Sequence, residues 1–392
     1  MKKIMIVVIS LIGFNPNLSS QSSIENVLIE IEKNNTTLAA LRKSAEAEKI
    51  GNKTGIYLQN PEMEFHYLWG NPSAIGNRTD ITITQTFDFP TAYKYRNQIS
   101  DIRNGQVELE YRRQLRALIL QARLICFDLV YKNALKSELS KRLAHAQSIA
   151  NSYKSGYEAG ETNILEYNKA QLNLLDINTE IESVEIERIA LSAELARLNG
   201  GAVINFTDSV FQSPEIPADF EQWYVMAEQN NPVLNWLKQE VEISQMQEKF
   251  SRAMSLPKIQ AGYMSEEIVG EQFQGVTVGL SIPLWENKNT VKYAKANALA
   301  FESISTDNRM QFYNHLKALH TKAIGLQNSA NSYRLSLQDF DNSELLKKAL
   351  DQGEITLIEY ILEFSFYYKS IDKLLKLEME LNITLAELNQ YM

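Results

Sequence analysis

The sequence predicts a mainly α-helical chain with a small β part, arranged as a duplicated helix, strand, strand, helix, helix unit. Three observations predict it. Positions 91–213 and 284–392 contain no proline, so long uninterrupted helices are allowed there. Four short alternating segments fall outside those stretches, as half-buried strands do. Sliding residues 25–67 by 196 positions gives ten identities in 43, among them Glu32/Glu228, Asn34/Asn230, Asn35/Asn231, Pro61/Pro257 and Tyr67/Tyr263. At an offset of 193, Gly160-Glu161 meets Gly353-Glu354 and Glu166-Tyr167 meets Glu359-Tyr360. A repeat of this density reads as an internal duplication. The first copy is expected over 21–199 and the second over 219–392, joined by a linker over 200–218 that holds Pro214 and Pro217.

Residues 1–20 come first and read as an export signal. Lys2 and Lys3 precede an apolar run from Ile4 to Phe14, and Leu18-Ser19-Ser20 supplies small residues before Gln21. No cysteine lies near that cut, so lipidation is not indicated. Eleven apolar residues are too few to span a bilayer, and no longer apolar run follows.

Helices are expected at about 23–55, 93–155, 162–199, 219–252, 286–350 and 354–391. Leu115, Leu118, Ala122, Ile125 and Leu129 alternate by three and four in a heptad-like seam. A helix of roughly 60 residues is about 90 Å long and must pack along its length. The two shorter helices of each copy, stacked end to end, match the long one and can pair with it.

Strands are expected at 62–69, 80–89, 258–265 and 275–284. Each carries one apolar face, with Phe65, Tyr67, Trp69, Ile81, Ile83, Phe87, Ile259, Tyr263, Val276, Val278 and Leu280 on it. Eight to ten residues suit a tilted outer-membrane strand, and Trp69, Phe87, Phe89 and Trp285 stand at strand ends, where an aromatic girdle lies. A soluble sheet with one wet face is the alternative. Four strands cannot close a barrel, since about eight is the smallest, so in lipid the edges must be shared among identical chains.

The composition narrows the function classes. With 44% apolar and 22% charged residues and only 16 Gly and 9 Pro in 392, the chain is folded. A net charge of -9 argues against a nucleic-acid surface. The single cysteine, Cys126, lies among Leu124, Ile125, Phe127 and Leu129 and reads as a buried small hydrophobe. His315 and His320 diverge on a helix, and the four histidines have no zinc spacing, so neither metal nor cofactor is expected. No phosphate loop, nucleophile elbow or metalloprotease helix occurs, and the chain does not read as an enzyme.

The order of elements in duplicate resembles the TolC-like outer-membrane efflux family over nearly all of the chain after residue 20. Asn230-Asn231-Pro232 opens the second copy, Asn60-Pro61-Glu62 precedes the first strand, Ser281-Ile282-Pro283-Leu284 closes the fourth, and Gly160 and Gly353 sit in the helical turns. Asn60-Pro61-Glu62 with Asp88-Phe89-Pro90 looks more like the heavy-metal cation-efflux branch than the drug branch. The resemblance implies a homotrimer whose twelve strands form one barrel in outer-membrane lipid, continued by a long periplasmic α-helical barrel. It also implies docking on a periplasmic adaptor (membrane fusion) protein and an inner-membrane pump of the resistance-nodulation-division type. The same family serves type I protein secretion, which is the alternative duct, and a soluble periplasmic coiled-coil interaction protein is the alternative outside that class.

In the family the helical turns form the periplasmic tip, so Tyr157, Gly160, Glu161, Leu350, Gly353 and Glu354 are the candidate adaptor contacts. Glu359 matches the first of two acidic positions that form the family's constriction. The second falls on Leu362, with Glu363 beside it, and Glu359 and Glu363 are the candidate pore constriction. Asn163 to Glu166 and Thr356 to Glu359 both fit capping boxes, and capping is the favoured role for Glu166. The arginine and tyrosine that latch some relatives closed fall here on Ile355 and Leu350, which supply neither group.

Overall fold

The structure is a computed structural model that describes residues 23–212, 215–339 and 342–392. The export signal expected over 1–20, with Gln21 after it, lies outside the described residues, as does Pro214 of the linker. The chain is mainly helical with one small antiparallel sheet. In order it forms α1 (Ser23–Asn34), α2 (Thr36–Gly51), β1 (Glu62–Leu68), β2 (Arg78–Phe87), α3 (Pro90–Glu158) and α4 (Ile164–Leu198). There follow α5 (Phe220–Asn230), α6 (Pro232–Met254), β3 (Lys258–Ile268), β4 (Glu271–Ser281), α7 (Thr290–Asp339), α8 (Ser343–Asp351) and α9 (Leu357–Leu388).

The proline-free stretch gives α3 its 69 residues, about 100 Å at 1.5 Å per residue. Pro90 opens it at the first turn, where a missing N–H costs nothing. No helix among the described residues is long and apolar enough to cross a membrane.

Three helices expected to be continuous are broken. The helix expected over 23–55 divides at Asn35, whose Oδ1 accepts from Leu38 N at 2.8 Å, while its Nδ2 donates to Leu198 O at 2.7 Å. The helix expected over 219–252 divides at the repeat-equivalent Asn231, whose Oδ1 accepts from Val233 N and Leu234 N, with Pro232 following. An asparagine side chain that satisfies the next turn's amides starts a new helix rather than continuing the old one. The helix expected over 286–350 is two, α7 and α8, with Asn342 before α8.

The helices bury two main hydrophobic clusters, one in each half of the chain. In the first copy Ile31, Leu129, Leu195, Cys126 and Phe206 form one buried cluster of α1, α3, α4 and the linker. In the second, Phe220, Trp223, Leu316, Leu385 and Leu388 form its counterpart from α5, α7 and α9. Each large aliphatic side chain so buried is worth about 1.5–3 kcal/mol. His320 belongs to that second cluster, with its Nε2 2.8 Å from Pro217 O and its ring against Phe220.

Neighbouring helices follow the strand order. Near the sheet α2 packs on α3, α3 on α6 and α6 on α7, while toward the helical turns the order is α4, α3, α9, α7. The short helices of each copy are thus stacked along the long one. The chain is an open layer with one edge at β1, α2 and α4 and the other at β4 and α7.

The sheet order is β1-β2-β3-β4, all antiparallel. The strands differ from expectation at their ends: β1 stops at Leu68, leaving Trp69 just beyond it, and β2 begins at Arg78. The second hairpin is shifted toward its turn, with β3 and β4 meeting at Val269-Gly270 and β4 ending at Ser281. Val269 and Gly270 both have positive φ (50° and 84°), which a two-residue hairpin turn of the I′ kind requires.

Candidate functional site

The register assigns every strand residue to a face, because directly paired residues share one. Met63 pairs with Ile83, Ile83 with Tyr263 and Tyr263 with Val276; Phe65 pairs with Ile81; Ala261 pairs with Val278; Phe87 pairs with Ile259 and Ile259 with Leu280. Phe65, Tyr67, Ile81, Ile83, Phe87, Ile259, Tyr263, Val276, Val278 and Leu280 therefore lie on one face, with Trp69 continuing the alternation. That face is uncovered, with Val276 85% and Val278 78% exposed. Met63 and Ala261 also lie on it, and the sequence reading passed over both, although each alternates with a residue it chose; Gln85 stands among them, and Thr79, Ser265, Gln274, Glu267 and Gln272 make the same face polar toward the far turns.

The other face carries Glu62, Glu64, His66, Asp80, Thr82, Thr84, Thr86, Gln260 and Thr277, with Met264 beside Thr82 and with Leu68, Ile268 and Phe273 toward the far turns. Gly262, Gly275 and Gly279 are also on it. A Cβ on Gly262 would lie 2.7 Å from Thr277 Oγ1 and 2.9 Å from Thr84 Cγ2, so the polar face is crowded there. Crowding on the polar side fits a sheet that curls with its apolar face outward.

Two tyrosines of the apolar face have their hydroxyls engaged, Tyr67 at its far end and Tyr263 in the middle row of Ile83. Tyr67 Oη accepts from Asn77 Nδ2 at 2.7 Å, Tyr263 Oη donates to Gln274 Oε1 at 2.8 Å, and Trp69 packs edge-on against Tyr67. Toward the helices, Trp285 and Phe89 are exposed. An apolar band with Tyr67 and Trp69 at one end and Phe89 and Trp285 at the other is the pattern of a surface facing lipid.

At the opposite end, both helical turns close by the same hydrogen bonds. In the first, Glu161 N donates to Gly156 O (2.7 Å) and Gly160 N to Tyr157 O (3.1 Å); in the second, Glu354 N donates to Ala349 O (2.9 Å) and Gly353 N to Leu350 O (3.0 Å). Gly160 and Gly353 have φ of 75° and 71°, the left-handed conformation this helix ending needs. Tyr157 stacks on Tyr167 with ring centroids 5.4 Å apart. Glu161, Gly353 and Glu354 stand at the surface, and Leu350 is half-buried.

The helix starts after the two turns differ. Thr356 and Glu359 form a complete capping box: Glu359 Oε2 accepts from Thr356 N and Thr356 Oγ1, both at 2.8 Å, while Glu359 N donates to Thr356 Oγ1. In the first copy Asn163 alone caps α4, and Glu166 turns to Lys169 at 3.0 Å. Capping therefore falls to Glu359 rather than to Glu166, because the Asn163 side chain already holds the amides of Leu165 and Glu166. Glu363 is exposed one turn further along α9 and borders a groove between α7, α8 and α9.

The amide and hydroxyl of Thr356 hold the Glu359 carboxyl below its usual range. A carboxyl with a lowered folded value stabilises the fold above its ordinary value of about 4.3, and loses that contribution as pH falls through its folded one. Thr356→Ala is expected to weaken the start of α9 by about 1 kcal/mol. Amide hydrogen exchange over 357–361 should rise in that variant, and in the parent only at acid pH.

Between the turns and the sheet, α3 is clasped to α9. Arg142 is buried, with Nη2 2.5 Å from Asp372 Oδ1 and Nη1 3.1 Å from Oδ2, and its guanidinium lies over the Tyr368 ring at 4.5 Å. Tyr368 Oη is 3.2 Å from His145 Nδ1, and burial pushes its phenol up to about 12. Nothing in the sequence reading singled out this cluster. Cys126 is buried and its thiol is pushed up to about 12 by burial. Among the described residues no group of three or more His, Cys, Asp or Glu could hold a metal ion.

No family model and no curated protein matches the chain. Solved structures do. CusC, described for its transmembrane channel formation, superposes with a TM-score of 0.77 at 15% identity, covering 93% of this chain and 90% of its own. The CmeC outer membrane channel of Campylobacter jejuni gives 0.76 at 13% identity over 94% of this chain and 85% of its own. The outer membrane protein VceC of Vibrio cholerae gives 0.74 at 12% identity over 94% of each. At these identities the likeness is one of fold: this chain has the fold of outer-membrane channel proteins.

Proposed function

We propose that the chain is one third of an outer-membrane exit duct of a tripartite efflux system. Three copies join β4 to β1 around a ring, so that twelve strands close a barrel in outer-membrane lipid. The helices continue it as a periplasmic tunnel toward an adaptor protein and an inner-membrane pump of the resistance-nodulation-division type. The observation that carries this reading is the sheet itself: one uncovered apolar face, one polar face, and two unpaired edges. Lipid satisfies the first and nothing but strand pairing satisfies the last. A soluble coiled-coil protein would leave that whole face in water.

In this reading the turns at Tyr157, Gly160 and Glu161 and at Leu350, Gly353 and Glu354 meet the adaptor, and Glu359 with Glu363 narrows the pore. The capping box suits such a role because it keeps Glu359 ionised. Planar-bilayer conductance of the purified protein tests the duct. A cation-preferring pore is expected, with preference falling in Glu359→Gln/Glu363→Gln, since glutamine preserves the cap and removes the charge. Conductance without any change in ion preference moves the constriction elsewhere; no conductance refutes the duct.

A further inference from the structure

The two ends of the sheet carry unlike charge. Over the strands and their far turns, 62–87 and 259–281, there is no lysine, and Arg78 is engaged by Asp80 at 2.8 Å and Glu266 at 3.2 Å. Where the helices begin, lysines gather. Lys94 lies in the first turns of α3, Lys288 just before α7, and Lys292 and Lys295 within its first turns, all of them exposed. Among the described residues none of the four has an ion-pair partner. No acidic residue occurs over 89–100 or 287–301; of the nearest acids, Glu286 is held by Lys258 at 3.6 Å and Asp101 stands two turns beyond Lys94. In a chain of net charge -9 this strip is not a product of composition.

The facing of the lysines follows from α3. Asp88 comes after Phe87 and points to the polar side of the sheet; Arg96 reaches it at 3.0 Å, so the Arg96 side of α3 continues the polar face. Lys94 lies about 200° from Arg96 around the helix and continues the apolar face. The helix α7 runs the same way and takes α6 on the flank where α3 takes α2. On α3 that flank holds Ser100 and Asn104, both bonded to Asn52 at the end of α2, and Lys94 lies roughly 100° further round. On α7 the flank holds the buried Ala294 and Ala298, and Lys292, Lys295 and the exposed Leu299 lie roughly 100° further round in the same sense. Lys288 stands one turn from the exposed Trp285, donating its backbone N–H to Trp285 O at 3.1 Å.

We propose that Lys94, Lys288, Lys292 and Lys295 form a collar beside the apolar band that binds the negatively charged headgroups of anionic phospholipids in the leaflet on the helix side. The inference rests on the membrane barrel proposed above and adds which lipid it gathers. Two observations select lipid as the partner. The collar is continuous with the uncovered apolar face, with Trp285 at the join, so a lysine stem can rest on apolar surface while its ammonium reaches a phosphate. Its cations are also unpaired within the chain and lie at one end of the band only, where a charged membrane surface would meet them. Each lysine held at such a surface strengthens association about fivefold.

Quenching of tryptophan fluorescence by brominated lipids tests this in vesicles of phosphatidylcholine and phosphatidylglycerol, with one or the other lipid brominated. The Trp285 signal is the difference between the parent and Trp285→Phe. At low salt, brominated phosphatidylglycerol is expected to quench it with an association about fivefold tighter than that of brominated phosphatidylcholine. That preference should vanish in Lys288→Gln/Lys292→Gln/Lys295→Gln, persist when the same three become arginine, and shrink at high salt. Equal quenching by the two lipids in the parent, or a preference that survives the glutamine changes, overturns the collar and leaves the duct standing. Quenching by neither lipid puts Trp285 outside the bilayer and overturns both.

Discussion

Arginine in place of Val278 or Ile83 is expected to abolish the folded, membrane-inserted protein. Both side chains lie in the middle rows of the apolar face, paired with Ala261 and with Met63 and Tyr263. An arginine at the bilayer midplane costs about 2–4 kcal/mol, and the proposed ring of three copies would meet that cost three times over. Thr82→Arg, one residue from Ile83 but on the polar face, should assemble and conduct. Heat-modifiable migration of the extracted protein on gels reads the difference. Equal loss from both faces would contradict a lipid-facing and a water-facing side.

The second large effect is expected at the clasp between α3 and α9. Asp372→Ala leaves the buried Arg142 guanidinium without its counter-charge, and the loss of one partner of a buried pair costs about 3–5 kcal/mol. The lower end applies, because the Asp372 side chain is 32% exposed. Replacing both, as Arg142→Met with Asp372→Leu, should recover most of the loss, since no charge is then stranded in the interior. Urea unfolding followed by helical circular dichroism measures it. A double variant as unstable as Asp372→Ala would show that the guanidinium's packing on Tyr368, rather than the ion pair, holds the hairpins together.

What could be read in advance divides along physical lines. The long α3 was legible because helix capacity is local: an absence of proline and a repeating seam suffice. The face of each strand residue was legible for the same reason, since alternation fixes it before any pairing is known. Asn35 and Asn231 were visible as a repeated pair, yet their effect was not, because an asparagine breaks a helix only where its side chain finds the next turn's amides. The exchange of roles between Glu166 and Glu359 turned on a neighbour, Asn163 in one copy and Thr356 in the other. Arg142 and Asp372 lie 230 positions apart, and no periodicity connects them.

The central claim is that three chains share one barrel, and native mass spectrometry of the protein extracted from the outer membrane in mild detergent tests it most directly. The account predicts a single species of three chains that dissociates only when the detergent is denaturing, because each chain's β1 and β4 edges are left unpaired unless a neighbour takes them. A folded monomer or dimer, stable in the same detergent, would contradict it.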